Sequence, residues 1–92
     1  MKLLYDENKN LRNIRERGLS FEQALDLDWS RAHIWQDRRK EYPEKRMLAL
    51  AYLEQRLHVI CYTWVEGALR VISFRKANQR EIRFYEKQTQ YH

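Results

Sequence analysis

The sequence holds one cysteine, Cys61, so no intramolecular disulfide can form, which fits a reducing compartment. Cys61 lies inside the apolar run Leu57–Val65, a setting that predicts a buried, inert thiol rather than a nucleophile. One proline and two glycines exclude a collagen-like, linker-rich or extensively disordered chain. There is no glycine-rich phosphate loop and no G-x-S-x-G elbow, which disfavours nucleotide-hydrolase and serine-hydrolase chemistry. The histidines His33, His58 and His92 are scattered, and none stands at ligand spacing with Cys61. No metal site and no cofactor is therefore expected. No apolar run approaches the ~20 residues of a membrane span. The segment Met1–Asp6 becomes charged too early for a signal sequence. A soluble, cytoplasmic protein without membrane contact is the expectation.

What is present suits a small globular domain. The 92 residues are 43% hydrophobic and 34% charged, enough for one domain over residues 1–92 with a single modest core. The net charge of +5 biases the chain toward polyanions, meaning nucleic acid or an acidic protein partner.

Along the chain, Lys2–Tyr5 reads as a small strand, with Asp6 as an N-cap. Glu7–Arg17 places Leu11 and Ile14 on one stripe of a helix that Gly18 terminates. Ser20 and Gln23 stand at capping-box spacing, with Leu19 and Ala24 as a staple, so a second short helix is predicted over Phe21–Leu27. Ala32–Gln36 suits a strand, and Pro43 marks a turn. Arg46–Leu53 is apolar enough for either a buried helix or a strand. Leu57–Val65 is rich in β-branched and aromatic residues and reads as a strand. Glu66-Gly67 then turns the chain into Leu69–Phe74, and this hairpin draws Arg46–Leu53 toward strand as well. A last helix starts at the cap Asn78, with Glu81 at the capping-box position and Ile82 with Tyr85 or Phe84 toward the core. The polar tail Gln88–His92 is expected to fray. The fold class is α+β: two N-terminal helices packed on an antiparallel sheet of about four strands, with a C-terminal helix.

Ten of the 18 lysines and arginines form two clusters. Arg38, Arg39, Lys40, Lys45 and Arg46 surround the Pro43 turn, while Arg70, Arg75, Lys76, Arg80 and Arg83 surround the hairpin exit. Strict alternation puts Val71, Ser73 and Arg75 on one sheet face. Glu81 and Tyr85, four apart, share a helical face, so Arg75 or Lys76 can line one groove with them. RNA cleavage without metal needs a base for the 2′-hydroxyl, cations for the phosphorane and an acid for the 5′-oxygen. Arg75 and Lys76 offer the charge. Glu81, Tyr85 and His58 are the candidates for proton transfer or positioning. Arg38, Arg39, Arg46, Arg70 and Arg80 are candidates for holding RNA. The plain alternatives are that Glu81 caps its helix, that Tyr85 packs on the sheet, and that Trp29, Trp35 and Trp64 fill the core rather than stack bases.

A series of short motifs, taken in order, resembles a known family. It runs Asp6-x-x-Lys9-Asn10, Arg17-Gly18-Leu19-Ser20-Phe21-Glu22-x-Ala24 and Asp28-Trp29-Ser30-Arg31-Ala32. It continues with Asp37-Arg38-Arg39-x-x-Tyr42-x-Glu44-x-Arg46 and Arg56-Leu57-His58-Val59-x-x-Tyr62-Thr63. It closes with Arg70-Val71-Ile72-Ser73-x-Arg75-Lys76-Ala77-Asn78-x-x-Glu81-x-x-x-Tyr85-Glu86. From Tyr5 to Glu86 the chain resembles the BrnT-type toxins of bacterial type II toxin–antitoxin systems, which share the RelE/ParE-like fold. The resemblance implies a ribonuclease toxin that suppresses translation. It also implies a BrnA-type ribbon-helix-helix antitoxin, a heterotetramer of the pair, and contact with operator DNA through the antitoxin. Two positions depart from the family pattern. Pro43 stands where glycine is usual, which bears on the placement of Arg46, and Tyr5 stands where tryptophan is frequent. Two other readings share this resemblance: a catalytically inactive homologue that binds protein and co-represses an operon, and a gyrase-directed toxin.

Overall fold

A computed structural model describes residues 1–89. Five strands form one mixed sheet in the order β1-β5-β4-β3-β2, with β1 Leu3–Tyr5, β2 His33–Gln36, β3 Met47–Leu53, β4 Arg56–Val65 and β5 Ala68–Lys76. The α-helices are α1, Glu7–Arg17, and α2, Gln79–Thr89.

This corrects the expected architecture of two N-terminal helices on about four antiparallel strands. Phe21–Asp26 is a 3-10 helix rather than a second α-helix, so no helical hairpin forms around Gly18. The capping box is present: Ser20 accepts from the Glu22 N–H, and the Gln23 carboxamide oxygen accepts from the Ser20 N–H at 2.9 Å. The turn is nonetheless too short for α-helical bonding. Leu27 N–H donates back three residues to Ala24, and the Trp29 indole N–H bonds that same carbonyl. A second short 3-10 turn spans Trp29–Arg31. The sheet is mixed because Lys2–Tyr5 passes down the far side of β5 and pairs with it in parallel, Leu3 opposite Leu69 and Tyr5 opposite Val71.

The α1 stripe is also reversed. Leu11 and Ile14 are 52% and 41% exposed, while Asn10 and Asn13 are buried. The helix docks through amides. The Asn13 side-chain NH₂ donates to the carbonyls of Leu19 and Phe74, and the Asn10 side chain accepts from the Phe21 N–H at 2.7 Å. An apolar count could not see this, because the buried face is polar and satisfied.

Tight hairpins set the register. Glu66 and Gly67 both carry positive φ, as a two-residue type I′ connection requires, and Val65 pairs with Ala68. Leu53 pairs with Arg56, which fixes Met47–Leu53 as a strand. One sheet face buries Ala49, Ala51, Ile60, Leu69 and Phe74 against Leu19, Phe21, Ala24 and Leu27. The other buries Leu50, Leu57 and Val59 beneath Ala77 and Tyr85, at the α2 end. Gln88 and Thr89 belong to α2, and the rest of the tail expected to fray, residues 90–92, lies outside the described residues.

Candidate nucleic-acid interface

A β-bulge decides which side chains meet. Cys61 pairs with Ser73 and Tyr62 pairs with Val71, so Ile72 has no partner opposite it. The extra residue inverts the alternation beyond it. Val71 and Phe74 therefore share the face packed against the N-terminal segment, and Arg75, opposite Val59, points to the α2 face. Arg75 was expected on the Val71 side, and the bulge overturns that. Lys76, opposite His58, falls on the reverse side.

On the α2 face, Arg75 donates from both terminal nitrogens to the two Glu81 oxygens at 2.8 Å. Glu81 also accepts from the Asn78 N–H at 2.8 Å, and its own N–H donates to the Asn78 side chain at 2.9 Å. This reciprocal cap follows from the sequence spacing. Arg75 holds the Glu81 carboxyl below the usual range, which makes it a weak base.

Two more acid–arginine pairs rise beside this face from the segment between β2 and β3. Arg39 forks onto Asp37 with two 2.8 Å bonds, and Tyr42 OH also donates to Asp37. The Asp37 carboxyl is buried, and the Arg39 bonds depress its pKa to about 2. Arg46 donates through Nε to Glu44 at 2.8 Å, and its guanidinium lies 4.2 Å from the Tyr42 ring centroid. Pro43 is accommodated, since no residue between Asp37 and Arg46 has positive φ. Arg39 lies near enough to Arg75 for their like charges to oppose one another, and both Arg39 and Arg46 act on the Cys61 thiol. Arg70 projects from this face opposite Thr63 and is exposed. Arg39, Arg46, Arg70 and Arg75 thus lie around one sheet face whose middle is buried at Cys61 and Thr63, with the Thr63 hydroxyl donating to the Lys45 carbonyl. Each guanidinium has five N–H donors, so the bonds that fix it leave others for a ligand. Burial raises the Cys61 thiol above its ordinary pKa.

Other candidates lie elsewhere. Tyr85 is 4% exposed, donates its hydroxyl to the Arg31 carbonyl at 2.8 Å and packs edge-on to Tyr52. Burial pushes its pKa up. His58 is buried against Phe74 on the reverse face, with Nδ1 2.9 Å from the Arg56 carbonyl, and desolvation lowers its pKa. Arg38 bonds Gln36, and Arg80 is exposed on α2. The sequence reading missed Asp37, Tyr42 and Glu44 as the groups that orient Arg39 and Arg46. Its signal was an acid two residues before each arginine, Asp37-x-Arg39 and Glu44-x-Arg46. Among the described residues, no three His, Cys, Asp or Glu side chains gather into a metal-binding group. No helix among them is long and apolar enough to cross a membrane.

Fold and site together define a small basic α+β domain with an arginine-framed sheet face. The family model described as "Ribonuclease toxin, BrnT, of type II toxin-antitoxin system" matches residues 5–81, and the chain belongs to that family. Membership implies an antitoxin partner. A search of curated proteins gave no match. Tyr5, one of the two departures, packs edge-on to Phe21 and donates to Glu22 at 3.0 Å, so the smaller ring is held in place.

Proposed function

We propose that this toxin is a metal-independent endoribonuclease that cuts single-stranded RNA at the Arg75 face and thereby blocks translation. A cognate ribbon-helix-helix antitoxin would neutralise it and bring the pair to operator DNA. The observation that carries this reading is the fixed Arg75–Glu81 fork on the same face as Arg39, Arg46 and Arg70.

In the proposed reaction the RNA 2′-oxygen attacks the adjacent phosphorus, the P–O5′ bond breaks, and a 2′,3′-cyclic phosphate remains. The 2′-hydroxyl proton leaves to solvent or a base, and the departing 5′-oxygen gains one. Negative charge builds on the non-bridging oxygens in the transition state, where preorganised guanidiniums stabilise it most. Arg75 supplies that charge, supported by Arg39 and Arg46. Glu81 acts as a positioning residue, since its carboxylate is engaged by Arg75 and the Asn78 N–H. Arg70 holds the strand through phosphate.

Induced expression in a bacterial host without the antitoxin tests this reading, with growth and RNA integrity followed together. Growth arrest with new RNA fragments, both lost in Arg75→Ala, supports it. Normal growth with soluble, folded protein points instead to an inactive binding module. Arrest with intact RNA and a DNA-damage response points to gyrase.

A further inference from the structure

Three aromatic rings outside the core lie on the same sheet face as Arg75. His33 and Trp35 are 5.4 Å apart, Phe84 is 5.3 Å from His33, and Trp35 and Phe84 are 6.0 Å apart. Trp35 is 37% exposed and Phe84 42%, so this cluster of rings reaches the surface. Phe84 meets His33 and Trp35 edge-on, while His33 and Trp35 are tilted at 43° to one another. The register ties them to the arginine face. Trp35, Leu48, Cys61 and Ser73 form one row across the sheet, and His33, Leu50, Val59 and Arg75 form the next. Three strand spacings of about 4.8 Å separate the ends of each row, roughly 14 Å in all. A stacked strand at about 3.4 Å per nucleotide covers that distance in roughly four nucleotides.

We infer that His33, Trp35 and Phe84 form a base-stacking subsite for the RNA strand whose phosphate sits at Arg75. The inference rests on the ribonuclease reading of that face. Charge decides the occupant. Arg80 and Lys87, four before and three after Phe84, share its side of α2, and neither has a carboxylate partner among the described residues. Aromatic faces flanked by unpaired cations suit a single strand, because every base offers a π-face and every linkage a negative charge. The subsite would hold unpaired bases and reject a duplex, whose bases are already stacked.

The test uses a single-stranded RNA oligonucleotide with 2′-deoxy substitution, which lacks the attacking hydroxyl, and measures binding by fluorescence anisotropy across a salt series. Trp35→Ala and Phe84→Ala should each weaken binding roughly tenfold. The slope of log affinity against log salt should stay unchanged, since stacking releases no counterions. Trp35→Phe should restore most of the affinity. An oligonucleotide with abasic positions should bind wild type and both alanine variants alike. Wild-type affinity in folded Trp35→Ala and Phe84→Ala overturns the subsite and leaves the ribonuclease reading standing. The same result with loss of co-purification of the co-expressed antitoxin reassigns the patch to protein docking and also overturns it. No binding by the wild type at low salt removes the ribonuclease reading as well.

Discussion

Arg75 and Lys76 are consecutive in β5 yet occupy opposite faces of the sheet: Arg75 lies opposite Val59 and forks onto Glu81, while Lys76 lies opposite buried His58. The register thus sets Arg75, turned toward Glu81, apart from Lys76. In cleavage of a defined RNA, Arg75→Ala should lower the rate by about 100-fold or more, the scale for losing a group aimed at developing charge. Lys76→Ala should stay within a few-fold. Equal losses in two folded variants would show that the faces cooperate.

Glu81 carries two roles that substitution can separate. Glu81→Ala removes the cap on Asn78 and the fork on Arg75, and should cost about 1 kcal/mol of stability as well as most of the activity. Glu81→Gln keeps an amide oxygen for the Asn78 N–H but offers Arg75 one acceptor instead of two. Denaturation should then show near-normal stability, with activity between that of wild type and Glu81→Ala.

The Arg70 side chain is exposed and donates no hydrogen bond among the described residues, unlike that of Arg39, which Asp37 engages. Arg70→Ala should weaken binding to every single-stranded RNA alike and make the log–log salt slope about 0.7 shallower. Sequence-selective weakening would mean that Arg70 contacts bases.

The Asp37 carboxyl gives the fold an acid-sensitive part. Its folded pKa of about 2 lies below the ordinary 3.8, so the stability it contributes is complete above the ordinary value and is lost as pH falls through about 2. The depressed Glu81 carboxyl acts with the same sign. Asp37→Asn should be less stable than wild type at pH 7, with the gap closing as pH drops from 4 toward 2. An unchanged gap would show that the Arg39 pairing contributes nothing.

The reversed α1 makes a prediction about packing. Asn13→Ala removes the donor to two buried carbonyls and should destabilise by about 1–3 kcal/mol. Leu11→Ser and Ile14→Ser, on the exposed side, should change stability by no more than about 0.5 kcal/mol. Urea unfolding of the three variants measures both.

The sequence made some of this legible. The strands from Met47 to Lys76 follow from β-branched runs and the Glu66-Gly67 turn, and the Asn78–Glu81 cap follows from spacing. Three features were hidden for identifiable reasons. The 3-10 turn at Phe21 has a helical cap but ends before α-helical bonding can propagate. The docking face of α1 is built from Asn10 and Asn13, so hydrophobic periodicity pointed to the wrong side. The bulge at Ile72 leaves the composition of β5 unchanged while moving Arg75 to the other face. Strict alternation put Arg75 on the Val71 face, whereas the expected Arg75–Glu81 pairing forms on the α2 face.

The most direct measurement is incubation of the purified protein with single-stranded RNA in excess EDTA, followed by mapping of the fragment ends. The account predicts cleavage by the wild type, with 2′,3′-cyclic phosphate ends, and none by folded Arg75→Ala. Intact RNA in the presence of wild-type protein that binds it, or full cleavage by Arg75→Ala, would contradict the account.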